Sequence, residues 1–309
     1  MPTTETVAVV DIGGTKTAAA LVDRDGGVVR RSEAPTPARA GAGAVLSTAS
    51  ALVASLRDDA HRLLALGVGS AGVIDPVGGH VLGATDALPG WAGTDLRGEL
   101  AARTGLATTV VNDVHAHALG ESRYGAARGR RTALFVAVGT GVGGAFVLPG
   151  GTLVGANAAA GHVGHVPSAH ARDLPCSCGA TGHLEAIASG PALVREHTRR
   201  TGVEVADLEA VVAAASAGDA EAASVIRLGG LAVGATIGGL VNVLDPDVVV
   251  VGGGVVNAGD PWWAALVEGS AAELLPSLRD VEIVGSGLGG DAALLGAAAL
   301  AWELVGEEA

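Results

Sequence analysis

Short apolar runs closed by glycine or polar turns punctuate the first third of the chain. Val7 to Val10 predicts a strand running into D-I-G-G-T-K, and Thr17 to Val22 predicts a second strand leaving that turn. A third strand is expected over Gly27 to Ser32, then a turn bounded by Pro35 and Pro37 and a helix from about Ala44 to Arg57. Leu64 to Gly69 reads as a buried strand ending in G-S-A-G-V-I-D-P. The loop T-D-A-L-P-G-W, from Thr85 to Trp91, then leads to Thr94 as a helix N-cap, with Arg97 through Ala102 on the helix. Thr108 to Val111 is the next strand and delivers N-D-V-H-A-H-A at its end.

The strand-turn-strand pattern returns roughly 130 residues after the first. Thr132 to Val138 runs into G-T-G-V-G-G, and Ala145 to Leu148 leaves it. Gly229 to Leu244 is uncharged, glycine-rich and shorter than the roughly 20 residues of a membrane helix, so it reads as a buried helix. Val248 to Val251 is an apolar strand entering Gly252, Gly253 and Gly254, and A-A-L-L-G-A-A-A near Ala292 begins a last helix.

Each glycine turn is a phosphate-binding candidate. Gly13 and Gly14 have no side chains to keep a polyphosphate off the backbone N–H groups, and Thr15 adds a hydroxyl. Asp11 can hold a hydrated Mg²⁺, and Lys16 is the chain's one lysine. A plain β-hairpin turn explains D-I-G-G-T equally well by itself. The motif is not a Walker A loop, and G-T-G-V-G-G opens a strand where a dinucleotide fingerprint would open a helix. In the second turn the candidates are Gly139, Thr140, Gly141 and Gly143. Gly72 lies in a turn at a strand's carboxyl end, where open α/β sheets place ligands. Asp113 sits at a strand-to-helix junction, either as an N-cap or as a catalytic base.

The densest chemistry lies between Gly161 and Glu185, which holds both cysteines and four histidines. His165, Cys176, Cys178 and His183 follow H-x10-C-x-C-x4-H, a donor set suited to a four-coordinate structural zinc. Cysteines one residue apart are too close for an ordinary disulfide, and Pro175, Gly179 and Gly182 make the segment a loop. Small apolar cysteines beside surface histidines are the plain alternative.

Composition narrows the class. With 309 residues, 49% hydrophobic and 2% aromatic, the chain is long enough for two domains with cores of Val, Leu and Ala. A net charge of −13 argues against nucleic acid or an anionic membrane as partner. The basic cluster from Arg123 to Arg131 reads as a solvated loop. No signal peptide is readable in M-P-T-T-E-T-V, so the expected compartment is the cytoplasm, where thiols favour metal over disulfide.

G-H-V-G-H followed by C-S-C-G-A-T-G-H-L-E-A-I-A-S-G resembles the zinc signature of the ROK family of sugar kinases and sugar-responsive repressors. That pattern is E-x-G-H then C-x-C-G-x-x-G-C-x-E, so His162 and His183 are departures. D-I-G-G-T-K, the N-D segment and the A-A-L-L-G-A-A-A helix fall in the family's order, and the glycine turns resemble those of the actin, hexokinase and Hsp70 fold. The resemblance implies an α/β, two-domain, actin-like ATPase (ribonuclease H-like) fold with an interdomain cleft. Residues 1–113 plus about 294–309 would form the smaller domain, and 114–293 the larger, zinc-bearing one. ATP with Mg²⁺ would lie between the two glycine turns, with the adenosine at Gly252 to Gly254, and the last helix would return to the first domain.

The resemblance further makes Asp113 the base for a sugar hydroxyl, with Asn112, Gly72, Thr85, His162, His165 and Glu185 around the sugar. His165 would touch both sugar and zinc. H-x-G-H and E-A-I-A-S-G resemble bacterial N-acetylmannosamine kinases, with glucose or N-acetylglucosamine the alternative acceptor. A repressor reading is disfavoured because only ten residues precede Asp11, and an actin-class ATP-binding module without kinase activity is the third reading. A homodimer or homotetramer is the family expectation.

Overall fold

A computed structural model describes residues 3–85 and 87–307 and divides the chain into two compact units. Asp86, in the loop read between Thr85 and Trp91, lies outside the described residues. The first unit takes the chain to Gly129, then Gly150–Ala160, then the chain from Gly287 on; the second takes Arg130–Pro149 and Gly161–Ser286.

The first unit contains, numbered along the chain, β1 (Thr4–Ile12), β2 (Lys16–Val22), β3 (Val28–Pro35), α1 (Ala42–Leu56), β4 (His61–Ser70), β5 (Val73–Ile74) and β6 (Val81–Gly83). It continues with α2 (Leu96–Thr104), β7 (Ala107–Asn112), α3 (Asp113–Tyr124), β10 (Gly151–Thr152) and α9 (Ala292–Glu307). Its sheet runs β3-β2-β1-β4-β7, antiparallel through β1 and parallel from β1 to β7. Ala8, Val10 and Ile12 join the core that includes α1, while Val7 and Val9 join the core that includes α9. With both faces covered, the strand reads as an unbroken apolar run. At Gly67 a Cβ would stand 2.1 Å from the Ala297 carbonyl oxygen of α9, so glycine lets that helix lie on the sheet.

The structure moves two sequence-based boundaries. α2 is capped by Asp95, whose carboxylate accepts from Gly98 N–H at 2.9 Å, rather than by Thr94. α3 belongs to the first unit, whereas a boundary at residue 113 would assign it to the second. The reason is contact with α9: a Cβ on Gly296 would stand 1.8 Å from the Ala116 carbonyl oxygen, and one on Gly120 2.1 Å from that of Ala292. Glu121 adds polar contacts, accepting from the N–H groups of Ala126, Gly287 and Leu288 at 2.8, 3.1 and 2.9 Å.

The second unit contains β8 (Ala133–Val138), β9 (Val142–Leu148), α4 (Glu185–Ala188), α5 (Gly190–Thr201), α6 (Leu208–Ser216), α7 (Ala220–Leu244), β11 (Val248–Gly252), α8 (Asp260–Glu273) and β12 (Glu282–Gly285). Here β9-β8-β11-β12 repeats the β2-β1-β4-β7 arrangement, antiparallel then parallel. α7 is 25 residues long and apolar enough to cross a bilayer by length and composition, but its glycines show what it faces. Cβ atoms on Gly230, Gly234 and Gly238 would stand 2.3, 2.0 and 2.6 Å from the carbonyl oxygens of Trp262, Leu266 and Ser270 on α8. Spacing by four puts these glycines on one face, so two helix backbones meet.

Gly→Ala normally stabilises an exposed helix by about 1 kcal/mol, whereas overpacking against a backbone costs about 1–3 kcal/mol. Thermal unfolding of Gly234→Ala should therefore show net destabilisation by at least about 1 kcal/mol. Gly239→Ala, one position beyond the packed face and touching nothing, should stabilise by up to about 1 kcal/mol. Equal effects at the two positions would contradict the packing argument.

Candidate active site

Parallel register assembles the first half of the site. Asp11 pairs with Gly69 and Ile12 with Ser70, while Ser70 pairs with Asn112, so the carboxyl ends of β1, β4 and β7 lie level. Asn112 caps α3, its side-chain Oδ1 accepting from Val114 and His115 N–H at 3.0 and 3.2 Å. Its amide donates to the Gly72 carbonyl and to Asp113 Oδ1, both at 2.9 Å. The capping role therefore belongs to Asn112, and Asp113 is the first helical residue. Gly72 must be glycine: its φ is +106°, and a Cβ would stand 2.7 Å from the Gly83 carbonyl oxygen. Thr85 lies exposed in the loop after β6.

Burial drives the Asp113 carboxyl above the usual carboxylate range, opposed by the Val114 N–H, the His117 charge and the Asn112 amide. Asp11 is pushed up to about 6, first by burial and then by the Asp113 charge, against His117 and Lys16. Its Oδ1 is buried with no hydrogen-bond partner among the described residues, which suits a carboxylate that meets a hydrated cation. The first turn closes through Gly13 N–H donating to the Lys16 carbonyl at 3.0 Å, and Thr36 Oγ1 donates to the Gly13 carbonyl at 2.8 Å. A Cβ on Gly14 would stand 3.0 Å from that of Ala87. Thr15 accepts at its carbonyl from Thr36 N–H, and Lys16 pairs with Glu33 at 3.3 Å.

In the second unit the turn from Gly139 to Gly141 closes by Gly139 N–H donating to the Gly141 carbonyl at 2.8 Å. Gly139 and Thr140 share a cavity of about 650 Å³ with Gly190, Arg195, Gly254 and Asn257. Gly143 lies within β9, paired with Ala137 and outside the turn itself. Gly252 ends β11. Gly253 has φ +91°, and a Cβ there would stand 2.3 Å from the Val138 carbonyl oxygen, so the third glycine turn can lie against the end of β8.

The zinc-candidate residues converge. The ligand atoms of His165, Cys176, Cys178 and His183 lie within 4.8 Å of one another. His165 Nδ1 is 3.6 Å from Cys176 Sγ, and His183 Nδ1 is 3.2 Å from Cys178 Sγ. Donors around a tetrahedral zinc, with Zn–S near 2.3 Å and Zn–N near 2.0 Å, stand about 3.3–3.8 Å apart; the two His–Cys pairs lie close to that spacing, and two thiols with two imidazoles are the donor set that ion takes. The exposed His162 stacks on His165, ring centroids 6.0 Å apart and planes at 20°. Glu185 begins α4 and accepts from Val142 N–H at 3.0 Å and from Ser177 Oγ at 2.6 Å.

The ROK family model matches residues 7–303 of this sequence. The chain belongs to the ROK family. It is 34% identical to a glucokinase from Halalkalibacterium halodurans, over 93% of this chain and 92% of that protein. It is 36% identical to an N-acetylmannosamine kinase from Escherichia coli, over 96% and 98%. A ROK glucokinase from Streptomyces griseus, solved with glucose and AMPPNP, superposes with a TM-score of 0.81 at 30% identity, covering 96% of this chain and 99% of that one. The fold is accordingly the actin-like ATPase fold of ROK kinases.

Two residues that contact these candidates or their surroundings escaped the sequence. Ser177 lacks any compositional signal beyond its place inside C-S-C. His115, buried on α3, meets the Ala160 carbonyl at 3.1 Å and Thr152 Oγ1 at 3.2 Å, holding Gly150–Ala160 to the first unit.

The raised carboxyl of Asp11 has a signed consequence for stability. Its protonated form favours the fold below the unfolded value of 3.8, and that contribution is lost as pH rises through about 6. Asp11→Asn should therefore raise the unfolding midpoint of the ligand-free protein at pH 7.5, with the gain shrinking between pH 6 and 4. Urea unfolding across that range checks it; a gain independent of pH would count against the buried-charge account.

Proposed function

We propose that the chain transfers the γ-phosphoryl group of ATP to the 6-hydroxyl of N-acetylmannosamine, with glucose and N-acetylglucosamine as alternative acceptors. Kinase chemistry is supported by ROK membership along nearly the whole chain and by relatives named as sugar kinases. Identities of 34% to the glucokinase and 36% to the N-acetylmannosamine kinase do not separate the sugars. His162 carries the choice. Glutamate, the family's usual residue there, accepts from two neighbouring hydroxyls, whereas a neutral imidazole offers one acceptor and one donor. A donor meets the carbonyl of a 2-acetamido group, which glucose lacks. Sites that pair a substrate's polar group discriminate strongly against analogues without it.

In this reading Asp113 is the base. The proton of the 6-hydroxyl passes to its carboxylate, the hydroxyl oxygen bonds to the γ-phosphorus, and the bond from that phosphorus to the β–γ bridging oxygen breaks, releasing ADP. Burial makes the ionised carboxylate a stronger base than a free one. Asn112, Gly72, Thr85, His162, His165 and Glu185 are assigned to the sugar. Backbone N–H groups at Gly14 and Thr15, with Lys16 and with Gly13 closing the turn, and at Thr140 and Gly141, with Gly139 closing the turn and Gly143 following in β9, are assigned to phosphate. Gly252 to Gly254 are assigned to the adenosine. Asp11 would hold the hydrated Mg²⁺ that accompanies ATP, an ion that would supply neutralisation of phosphate charge.

His165, Cys176, Cys178 and His183 would hold a structural zinc, their thiolates maintained by a reducing cytoplasm. Elemental analysis should give one zinc per chain, lost in Cys176→Ser; a fully active metal-free protein would refute the assignment.

Coupled ADP release with a sugar panel tests the acceptor. N-acetylmannosamine should show the higher kcat/KM, and His162→Glu should shift the preference towards glucose. A tenfold or greater wild-type preference for glucose would sink this choice. In the same assay Asp113→Asn should fold yet lose at least about 10²-fold in kcat. Wild-type kcat/KM should fall as pH drops through the raised Asp113 value, because the base must be ionised.

A further inference from the structure

Glu185 is gripped from two sides within the second unit. Val142 N–H donates to Oε2 at 3.0 Å from the second glycine turn, and the Ser177 hydroxyl donates to Oε1 at 2.6 Å from between the two cysteines. The approach to Val142 is tight: a Cβ on Gly141 would stand 2.7 Å from Oε2. One donor on each oxygen fixes both the position and the plane of a carboxylate that could otherwise turn about its terminal bond. Each oxygen still has a lone pair for a substrate hydroxyl. Ser177 itself is exposed, so core packing does not account for its hydroxyl.

We propose that Ser177 is a positioning residue for sugar binding, orienting the Glu185 carboxylate and linking the metal-ligand loop to the sugar. This inference rests on the kinase reading above and on Glu185 as a sugar ligand. The loop fixes Ser177 through its neighbours Cys176 and Cys178. Ser177 fixes one oxygen of Glu185, and the glycine turn fixes the other. Losing the hydroxyl leaves the Val142 bond in place, so the effect should fall on the sugar and not on ATP.

The test compares wild type, Ser177→Ala and Ser177→Thr for zinc content, thermal unfolding and steady-state kinetics with N-acetylmannosamine, glucose and ATP each varied. Ser177→Ala should keep wild-type zinc content and an ATP KM within about twofold, while its sugar KM rises about tenfold and kcat changes less. Ser177→Thr, which retains the hydroxyl, should recover the sugar KM to within about threefold of wild type. An unchanged sugar KM in Ser177→Ala overturns the proposal. So does loss of zinc or an equal rise in both KM values, since either makes the serine a support of the loop's fold. A wild-type chain that phosphorylates none of the sugars instead sinks the kinase reading, and this inference with it.

Discussion

Two carboxylates buried near each other set the terms for the first unit. Desolvation raises both Asp11 and Asp113, and the Asp113 charge raises Asp11 further, so the ligand-free fold carries an electrostatic cost at neutral pH. The sheet makes that cost tolerable. β1, β4 and β7 lie in one parallel register, with cores on both faces of β1 and helix backbones packed closely enough to exclude alternatives. Gly69 lies on the strand between the two carboxylates, and even a Cβ there would approach Asp11 Oδ1 to 3.4 Å. His117 offsets part of the repulsion, and a cation arriving with phosphate would offset more. Ligand binding and relief of this buried charge are then the same event, which favours a loaded site over an empty one.

The second unit reuses the architecture without the paired carboxylates. In each, a glycine turn joins the first two antiparallel strands, and parallel strands follow on the other side of the first strand. Close backbone approach recurs as well: α3 meets α9 through Gly120 and Gly296, and α7 meets α8 through a glycine face. Cores poor in aromatics favour this solution, because small side chains fill volume only when backbones come together.

That economy explains what the sequence disclosed. Strand-turn-strand units at Asp11 and Gly139 were legible because two apolar runs flank a glycine-rich turn in each. The His and Cys spacing announced its convergence because only a loop brings H-x10-C-x-C-x4-H together. The placement of α3 was hidden, since its partner α9 lies far along the chain and Gly120 gives no sign of which backbone it meets. Asp95 rather than Thr94 caps α2 because adjacent residues both have capping side chains and the choice depends on local dihedral angles. Ser177 was invisible for a different reason: its role depends on where Glu185 points, a relation between two loop residues that no periodicity records.

The second unit's contacts also bear on how acceptor specificity can change. His162 lies exposed against the ring of His165, which in turn belongs to the four-residue metal candidate cluster. Glu185 is held by Ser177 from the same loop. Rigid parts and replaceable parts are thus neighbours. Converging donors and the two grips on Glu185 fix the framework, whereas the exposed imidazole of His162 is supported by stacking and is not buried in a core. A residue so placed can switch between glutamate and histidine with little cost to the fold, because neither side chain must refill packed volume. Pockets that differ by one acceptor or donor can discriminate strongly between hydroxyl and acetamido groups. Under the proposed function, sugar preference could therefore diverge at His162 while the metal-candidate loop and the glycine turns stay unchanged, which is the arrangement expected where one scaffold serves relatives named for different sugars.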